Sequence, residues 1–415
     1  MPEVNAAAIF SRRAEPKVHP SKGPRAYYQR HVDDPKKWVP IMAQIHDHTA
    51  HMAGISAKRF YSEATPYLDA QIAVQSYYNF DVIQVFNDVY NFEAEALGAK
   101  MIYGHDSMPT IDFREPLLKQ PGDLSRLKTP DFRKDGRFPY QVDALRQTIE
   151  IGIDGAFMCA PFSLAVGLRS YPRLIHDIKK DPVFVRDLMT FLEDEVLLPY
   201  IRFLHQEYGF TLFSAADAWA AVPDLSPQMF EEQVIPWNLR LQQAAQQLGV
   251  TALVMAGADY CEERLEKVDP RVMRQSFEAA VKSFGGAPLI FMAMGRWQDY
   301  PLEPVLEYAR ELNSKGLPIP TVVMGALNAR VLRDGPVSEI VRNVKRMIDT
   351  FAGEFPFGLF IANIPTDTPP EHVHAAVQAT HYYGEMPYRF RDDGASFRPA
   401  PRESYAEFMS KLDTH

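Results

Sequence analysis

Three histidines lie close together in the stretch His46-Asp-His-Thr-Ala-His51, and imidazole groups bind metals and exchange protons at neutral pH. If this stretch is a strand, His46 and His48 point to the same face, and His51 can return to that face through a turn. Three interpretations remain open. The group is a metal site completed by Asp47 or Asp88, a proton-transfer and substrate-binding group, or three separate structural hydrogen bonds.

Two aspartates, Asp88 and Asp217, each stand at the end of an apolar stretch, where a strand would place them at the edge of a cavity. If both face one cavity, repulsion and desolvation raise one pKa, which yields an acid and a base for proton transfer. Either carboxylate could instead cap a helix or pair with an arginine such as Arg330. We therefore predict Asp88, Asp217, His46 and His48 as the catalytic groups.

A second set of residues is predicted to bind the substrate. Its aromatic and methionine side chains would line a soft apolar pocket, although such residues also fill barrel cores. Its arginines suit a carboxylate, and its asparagines could orient a methoxy, amide or carboxylate group. The set lies at or near the ends of the predicted strands and consists of His51, Phe162, Trp219, Met255, Arg296, Asn328, Arg330 and Asn363.

Eight apolar strand candidates position these residues. They cover 39–46, 81–88, 155–160, 210–217, 250–256, 289–295, 321–327 and 357–363. Helical periodicity separates most of them, over 66–78, 181–208, 226–248, 269–284, 301–315, 336–351 and 369–383. This alternation predicts an α/β protein, a (β/α)8 TIM barrel whose strand ends hold the chemistry at their carboxyl side.

The barrel is predicted to occupy residues 38–385 as a single domain, with a hairpin or extended excursion over 99–117. Residues 1–37 contain five prolines and are predicted to form an irregular arm rather than a helix. Residues 386–415 form a C-terminal tail that ends in a short amphipathic helix over 402–412.

Composition narrows the class of protein. With 415 residues, 46% of them hydrophobic, the chain can bury one large core. The net charge of −9, from 53 acidic and 44 basic residues, argues against nucleic acid as a partner. Two cysteines predict no disulfide framework, and no apolar run suits a membrane span or export signal. We expect a cytoplasmic protein without membrane contact.

Four groups of segments resemble motifs of the uroporphyrinogen decarboxylase superfamily and follow the family's order. They are 80–88 with 93–100 and 106–109, 155–165, 217–219 with 225–227 and Phe230, and 323–328. The resemblance implies the same barrel. The superfamily contains porphyrinogen decarboxylases and cobalamin-linked methyltransferases, and fold alone does not choose between them.

Departures from the family motifs narrow the choice between decarboxylase and methyltransferase activity. The zinc methyltransferases of the superfamily carry a histidine and two cysteines after strands five and eight, whereas the corresponding stretches here, 254–257 and 361–363, contain neither residue type. We therefore predict no family-type zinc site. Asp88 matches the aspartate that holds pyrrole N–H groups in the decarboxylases, but residues 45–51 replace their arginine-rich segment.

The resemblance implies an enzyme of the methyltransferase-like branch. It would move a methyl group from a small methylated or methoxylated substrate to a corrinoid protein or folate-like acceptor, so corrinoid (cobalamin) and tetrahydrofolate are the candidate cofactors. The leaving group would be protonated by Asp88, Asp217 or the histidines. A decarboxylase or lyase and a non-catalytic ligand-binding barrel are the alternatives. We expect a homodimer.

Overall fold

The computed structural model describes residues 12–34, 36–85, 88, 91–256, 260–292, 295–391 and 397–412, without the side chains of residues 255 and 256. Strands in these residues are β1 Arg12–Arg13, β2 Ile41–Ala43, β3 Met101–Ile102, β4 Thr110–Ile111, β5 Ile153–Asp154, β6 Ala156–Cys159, β7 Leu212–Asp217, β8 Thr251–Ala256, β9 Leu289–Phe291, β10 Val322–Leu327 and β11 Phe357–Ile361.

The α-helices are α1 Gly23–His31, α2 Asp47–Met52, α3 Ala57–Phe60, α4 Ala64–Tyr78, α5 Phe92–Ala96, α6 Phe138–Glu150, α7 Pro161–Arg169, α8 Tyr171–Lys180, α9 Pro182–Phe191, α10 Leu198–Tyr208, α11 Pro227–Gln233, α12 Ile235–Gln247, α13 Pro270–Ser283, α14 Glu303–Ser314, α15 Ala329–Asp334, α16 Val337–Phe351, α17 Pro370–Tyr383 and α18 Tyr405–Leu412. A π-helical turn, Leu192–Leu197, joins α9 to α10.

The strand order is that of a closed barrel. Strands β9, β10, β11 and β2 form one parallel group, and β6, β7 and β8 form a second. Because β2 comes first along the barrel and β11 comes last, their pairing joins the two ends of the sheet. The predicted (β/α)8 TIM barrel is confirmed, and seven of the eight predicted strands coincide with observed ones.

The second predicted strand, 81–88, is wrong for its described part, because residues 81–85 adopt no strand conformation. In place of a neighbouring strand, a glutamine from α4 forms hydrogen bonds with the backbone of this segment. Gln75 Nε2 donates to the Gln84 carbonyl at 2.7 Å, and Gln75 Oε1 accepts from the Gln84 amide at 2.9 Å. Paired side-chain hydrogen bonds therefore satisfy backbone groups that a neighbouring strand would otherwise satisfy.

The histidine stretch is helical rather than extended. The strand predicted over 39–46 therefore ends earlier than predicted. Strand β2 ends at Ala43, His46 occupies the N-cap position, and α2 follows. Residues two apart on a helix do not share a face, so His46 and His48 do not project together as they would from a strand.

The described parts of both terminal segments pack against the barrel. The prediction that residues 1–37 lack a helix is wrong, because α1 forms with Pro24 in its first turn, where the missing amide is tolerated. Strand β1 pairs with β5, and α1 packs on α4. The predicted C-terminal helix forms as α18 and also packs on α1 and α4, while the Tyr77 hydroxyl donates to the Glu403 carbonyl at 2.8 Å.

Capping side chains mark the starts of three helices. The side chains of Asp181, Ser226 and Asp269 accept hydrogen bonds from backbone amides in the first turns of α9, α11 and α13, and each of these residues is followed by a proline. The predicted excursion over 99–117 contains the antiparallel pair β3 and β4. No helix among the described residues is long and apolar enough to cross a membrane.

Candidate active site

Asp88 is fully buried at the position where the second barrel strand would end. Its Oδ1 accepts a hydrogen bond from Asn91 Nδ2, and its Oδ2 accepts one from Arg137 Nη2. Burial raises the pKa of Asp88 to about 6, although the charge of Arg137 lowers it. The carboxyl group is thus held in a fixed position and exchanges its proton near neutral pH.

Arg137 is a functional candidate that the sequence analysis missed. It occupies the N-cap position of α6, and its side chain is only 10% exposed. Nε donates to Glu95 Oε2 at 2.7 Å, and the ring of Phe92 lies 4.8 Å from the guanidinium carbon. The partner of Asp88 is therefore Arg137, and not Arg330 as the sequence suggested.

Glu93, on α5, is a second residue that the sequence analysis did not assign. Its side chain is buried, and Oε1 accepts from the Cys159 amide at 2.9 Å. Oε2 is buried without a hydrogen-bond partner among the described residues. The pKa of Glu93 is raised to about 7, mainly by burial, while the hydrogen bond from the Cys159 amide lowers it and the charge of Asp88 raises it. A protonated carboxyl group is therefore stable here near neutral pH.

Asp217 ends β7 and is also fully buried. Its Oδ1 accepts from both the amide and the hydroxyl of Ser163, each at 2.7 Å, in the first turn of α7. The Ser163 hydroxyl in turn accepts from the Trp219 amide at 3.1 Å. Burial raises the pKa of Asp217 to about 6. Asp217 thus supports the first turn of α7, a helix that precedes it in the chain, and it does not cap the next helix, which was the alternative left open for it.

The thiol of Cys159 lies among these carboxyl groups. Burial raises the pKa of Cys159 well above its usual value, and the charges of Glu93 and Asp217 raise it further. The thiol stays protonated, which excludes a thiolate nucleophile at this position.

Of the three interpretations left open for the histidines, separate structural hydrogen bonds fit His48 best. His48 is fully buried, with Nδ1 3.0 Å from the Thr366 carbonyl and Nε2 2.7 Å from the Tyr78 hydroxyl. His51 is exposed. Burial lowers the pKa of both His46 and His48 to about 4, so both rings are neutral at pH 7 and are poor acids. Among the described residues, no three His, Cys, Asp or Glu side chains are grouped as metal ligands.

Two of the predicted substrate-binding residues are aromatic, and both lie at or near the start of α7. Phe162 is buried in its first turn. Trp219 is 41% exposed, and its ring centroid lies 5.5 Å from that of Phe113 and 6.0 Å from that of Tyr171. Trp219 is therefore accessible to a ligand, whereas Phe162 fills the core. The side chain of Met255 lies outside the described residues.

The remaining predicted residues lie on the opposite side of the barrel, after β9, β10 and β11. Arg296 pairs with Asp299, and Arg330 is exposed 3.5 Å from Glu263. Asn328 caps α15 and donates to the Gly295 carbonyl at 2.9 Å, and Asn363 is exposed with a φ of 53°. These side chains are committed to local contacts or to solvent, and they are not joined to the carboxyl groups around Cys159.

The fold and this site define a barrel protein with buried carboxyl groups at or just after the ends of its second and fourth strand positions. The sequence model of the Uroporphyrinogen decarboxylase (URO-D) family matches residues 25–383, and the chain belongs to this family. Among solved structures, a methyltransferase from Methanosarcina mazei superposes with a TM-score of 0.62 and 15% identity, covering 88% of this chain and 99% of that one. This likeness shows the shared fold. No curated protein matches the sequence.

Proposed function

We propose that the protein is a methyltransferase-like enzyme of the URO-D family. It transfers a methyl group from a small methylated or methoxylated substrate to a corrinoid protein or a folate-like acceptor. The bond between the methyl carbon and its heteroatom breaks, the acceptor's electron pair forms the new bond to carbon, and the departing heteroatom takes a proton. The protein's own contribution is to supply that proton and to orient the substrate.

The observation that carries this proposal is the pair Asp88 and Glu93, two buried carboxyl groups in unlike surroundings. Asp88 is paired with Arg137, which favours its ionised form. Glu93 has no charged partner among the described residues and has a pKa of about 7. Two neighbouring carboxyl groups in different environments serve as acid and base in many enzymes. Glu93 is the acid in this scheme, and Asp88 holds and orients the substrate.

Zinc has no step in this mechanism because the donor set does not fit the family's site. The stretches 254–257 and 361–363 contain neither cysteine nor histidine. A corrinoid or folate enters as the methyl acceptor, and it supplies the nucleophile when bound. A homodimer remains our expectation for the assembly.

The test is methyl transfer to free cob(I)alamin, followed by the absorbance of methylcobalamin. The substrates are panels of methoxylated benzoates, methylamines and methyl thioethers. We expect product with one panel and a rate at least about a hundredfold lower in Glu93→Gln, because proton transfer contributes about that much. Glu63→Gln, an exposed residue paired with Arg59, is the control. Equal rates in the wild type and Glu93→Gln would remove Glu93 from the mechanism.

Decarboxylation is the second candidate, favoured by the position of Asp88 beside Arg137 at the second strand end. In that reaction the C–C bond breaks, CO2 leaves, and the acid protonates the carbanion. Release of labelled CO2 from carboxylated substrates, with no methylcobalamin formed from any panel, would replace methyl transfer with this reaction.

A further inference from the structure

The described residues do not satisfy every nitrogen of the Arg137 guanidinium group. One edge is occupied, because Nε donates to Glu95 Oε2 at 2.7 Å and Nη2 donates to Asp88 Oδ2. Nη1 is buried and has no hydrogen-bond partner among the described residues. A buried N–H without an acceptor costs free energy, so this edge requires an oxygen atom from elsewhere.

Aromatic side chains lie against the guanidinium group of Arg137. The ring of Phe92, on α5, lies 4.8 Å from the guanidinium carbon. The Tyr103 ring lies 5.7 Å from the same atom and is 60% exposed, while its hydroxyl donates to Glu95 Oε1 at 2.5 Å. The guanidinium group is thus held between ring contacts and two carboxylates, and its side chain keeps 10% exposure to solvent.

We propose that the unused edge of Arg137 binds an oxyanion of the substrate, a carboxylate or a phenolate, and so selects acidic small molecules. The inference rests on the proposed function, because the bound molecule is the one whose methyl group is transferred. The geometry suits this ligand: Nη1 and the second N–H of Nη2 form a planar fork that matches two carboxylate oxygens. Lysine, with a single ammonium group, does not offer this fork.

Charge balance links such binding to a proton. An anion at this edge is a third negative charge around one guanidinium, beside Asp88 and Glu95. The added charge raises the pKa of Asp88, so the site takes up protons on binding at neutral pH. Binding should therefore strengthen from pH 8 to pH 6. The charged and titratable groups that act on or feel Asp88 are Arg137, Glu95, Glu93, Tyr61, Tyr67 and Tyr140.

Formate, the smallest carboxylate, tests the edge without steric demand. Thermal unfolding of the full chain in sodium formate, compared with sodium chloride at equal ionic strength, gives an apparent affinity. We expect formate to stabilise the wild type, more at pH 6 than at pH 8. Arg137→Gln should bind at least about tenfold more weakly, since it removes both donors of the fork. Arg133→Gln is the matched control, because Arg133 is 58% exposed and pairs with Glu207 instead.

A second variant, Arg137→Lys, keeps the test valid if Arg137→Gln does not fold. Arg137→Gln leaves Asp88 and Glu95 without their cation, whereas Arg137→Lys keeps the charge and loses only the fork, so it carries the comparison if the first variant does not fold. Equal formate affinity in the wild type and the folded Arg137 variants, or no formate-specific stabilisation of the wild type, overturns the inference. If formate binds as expected but no substrate panel yields methyl transfer to any acceptor, the proposed function is refuted and the inference about Arg137 is not.

Discussion

Replacing Glu93 with glutamine should change the pH dependence of stability in a defined direction. The pKa of Glu93 is raised from 4.5 to about 7, with burial as the main cause. At about 1.4 kcal/mol for each pH unit, ionised Glu93 lowers the free energy of unfolding by up to about 3 kcal/mol. Glutamine keeps an acceptor for the Cys159 amide, a contact of 2.9 Å in the wild type, and carries no charge.

The sign follows from proton binding. The unfolded chain releases the Glu93 proton near pH 4.5, while the folded chain keeps it until about pH 7. Between these values the folded state binds more protons, so the contribution of Glu93 to wild-type stability falls as pH rises and levels off above pH 7. This fall in stability does not occur in Glu93→Gln, because glutamine does not titrate. Relative to the wild type, it should gain up to about 3 kcal/mol between pH 4.5 and pH 8, less a constant cost for its unpaired amide.

Urea unfolding of both proteins at pH 5, 6, 7 and 8 measures this difference directly. Glu63→Gln, whose side chain is 51% exposed, should show a difference of less than about 0.5 kcal/mol across the same range. A stability difference between Glu93→Gln and the wild type that does not vary with pH would refute the reasoning, because Glu93 would then titrate alike in both states.

Three further predictions concern other residues. Asp88→Asn should keep the fold and lower activity by about two orders of magnitude, because the neutral amide loses the charge with which Asp88 holds and orients the substrate; near-normal turnover by the folded variant would remove Asp88 from the mechanism. His48→Ala should destabilise the protein by about 2–4 kcal/mol in urea unfolding, because both ring nitrogens have buried partners; reduced formate binding at unchanged stability would contradict this structural role. Gln75→Leu should cost about 2–4 kcal/mol and increase amide exchange at Gln84, whose backbone it supports; unchanged exchange would show that another group replaces it.

Local sequence patterns were enough to predict the barrel, because most of its strands and crossover helices are encoded within their own windows. The caps at Asp181, Ser226 and Asp269 are short-range signals of the same kind. Helix α7 was not predicted, although it begins at Pro161, directly after the strand predicted over 155–160. Arg137 was also missed. It lies 49 residues from Asp88 in a charged stretch that looks like solvated loop, and only the folded chain brings the two together.

The proposed acid, Glu93, was the least predictable part of the site, because burial acts oppositely on the pKa values of acids and bases. The sequence places histidines and carboxylates alike near strand ends, and histidine has the usual pKa closest to 7. Burial then lowers the pKa of His46 and His48 to about 4 and raises that of Glu93 to about 7. Desolvation disfavours the charged form of each, so the imidazole loses its proton and the carboxyl keeps one. An enzyme that must protonate a leaving group inside this barrel is therefore better served by Glu93 than by either histidine.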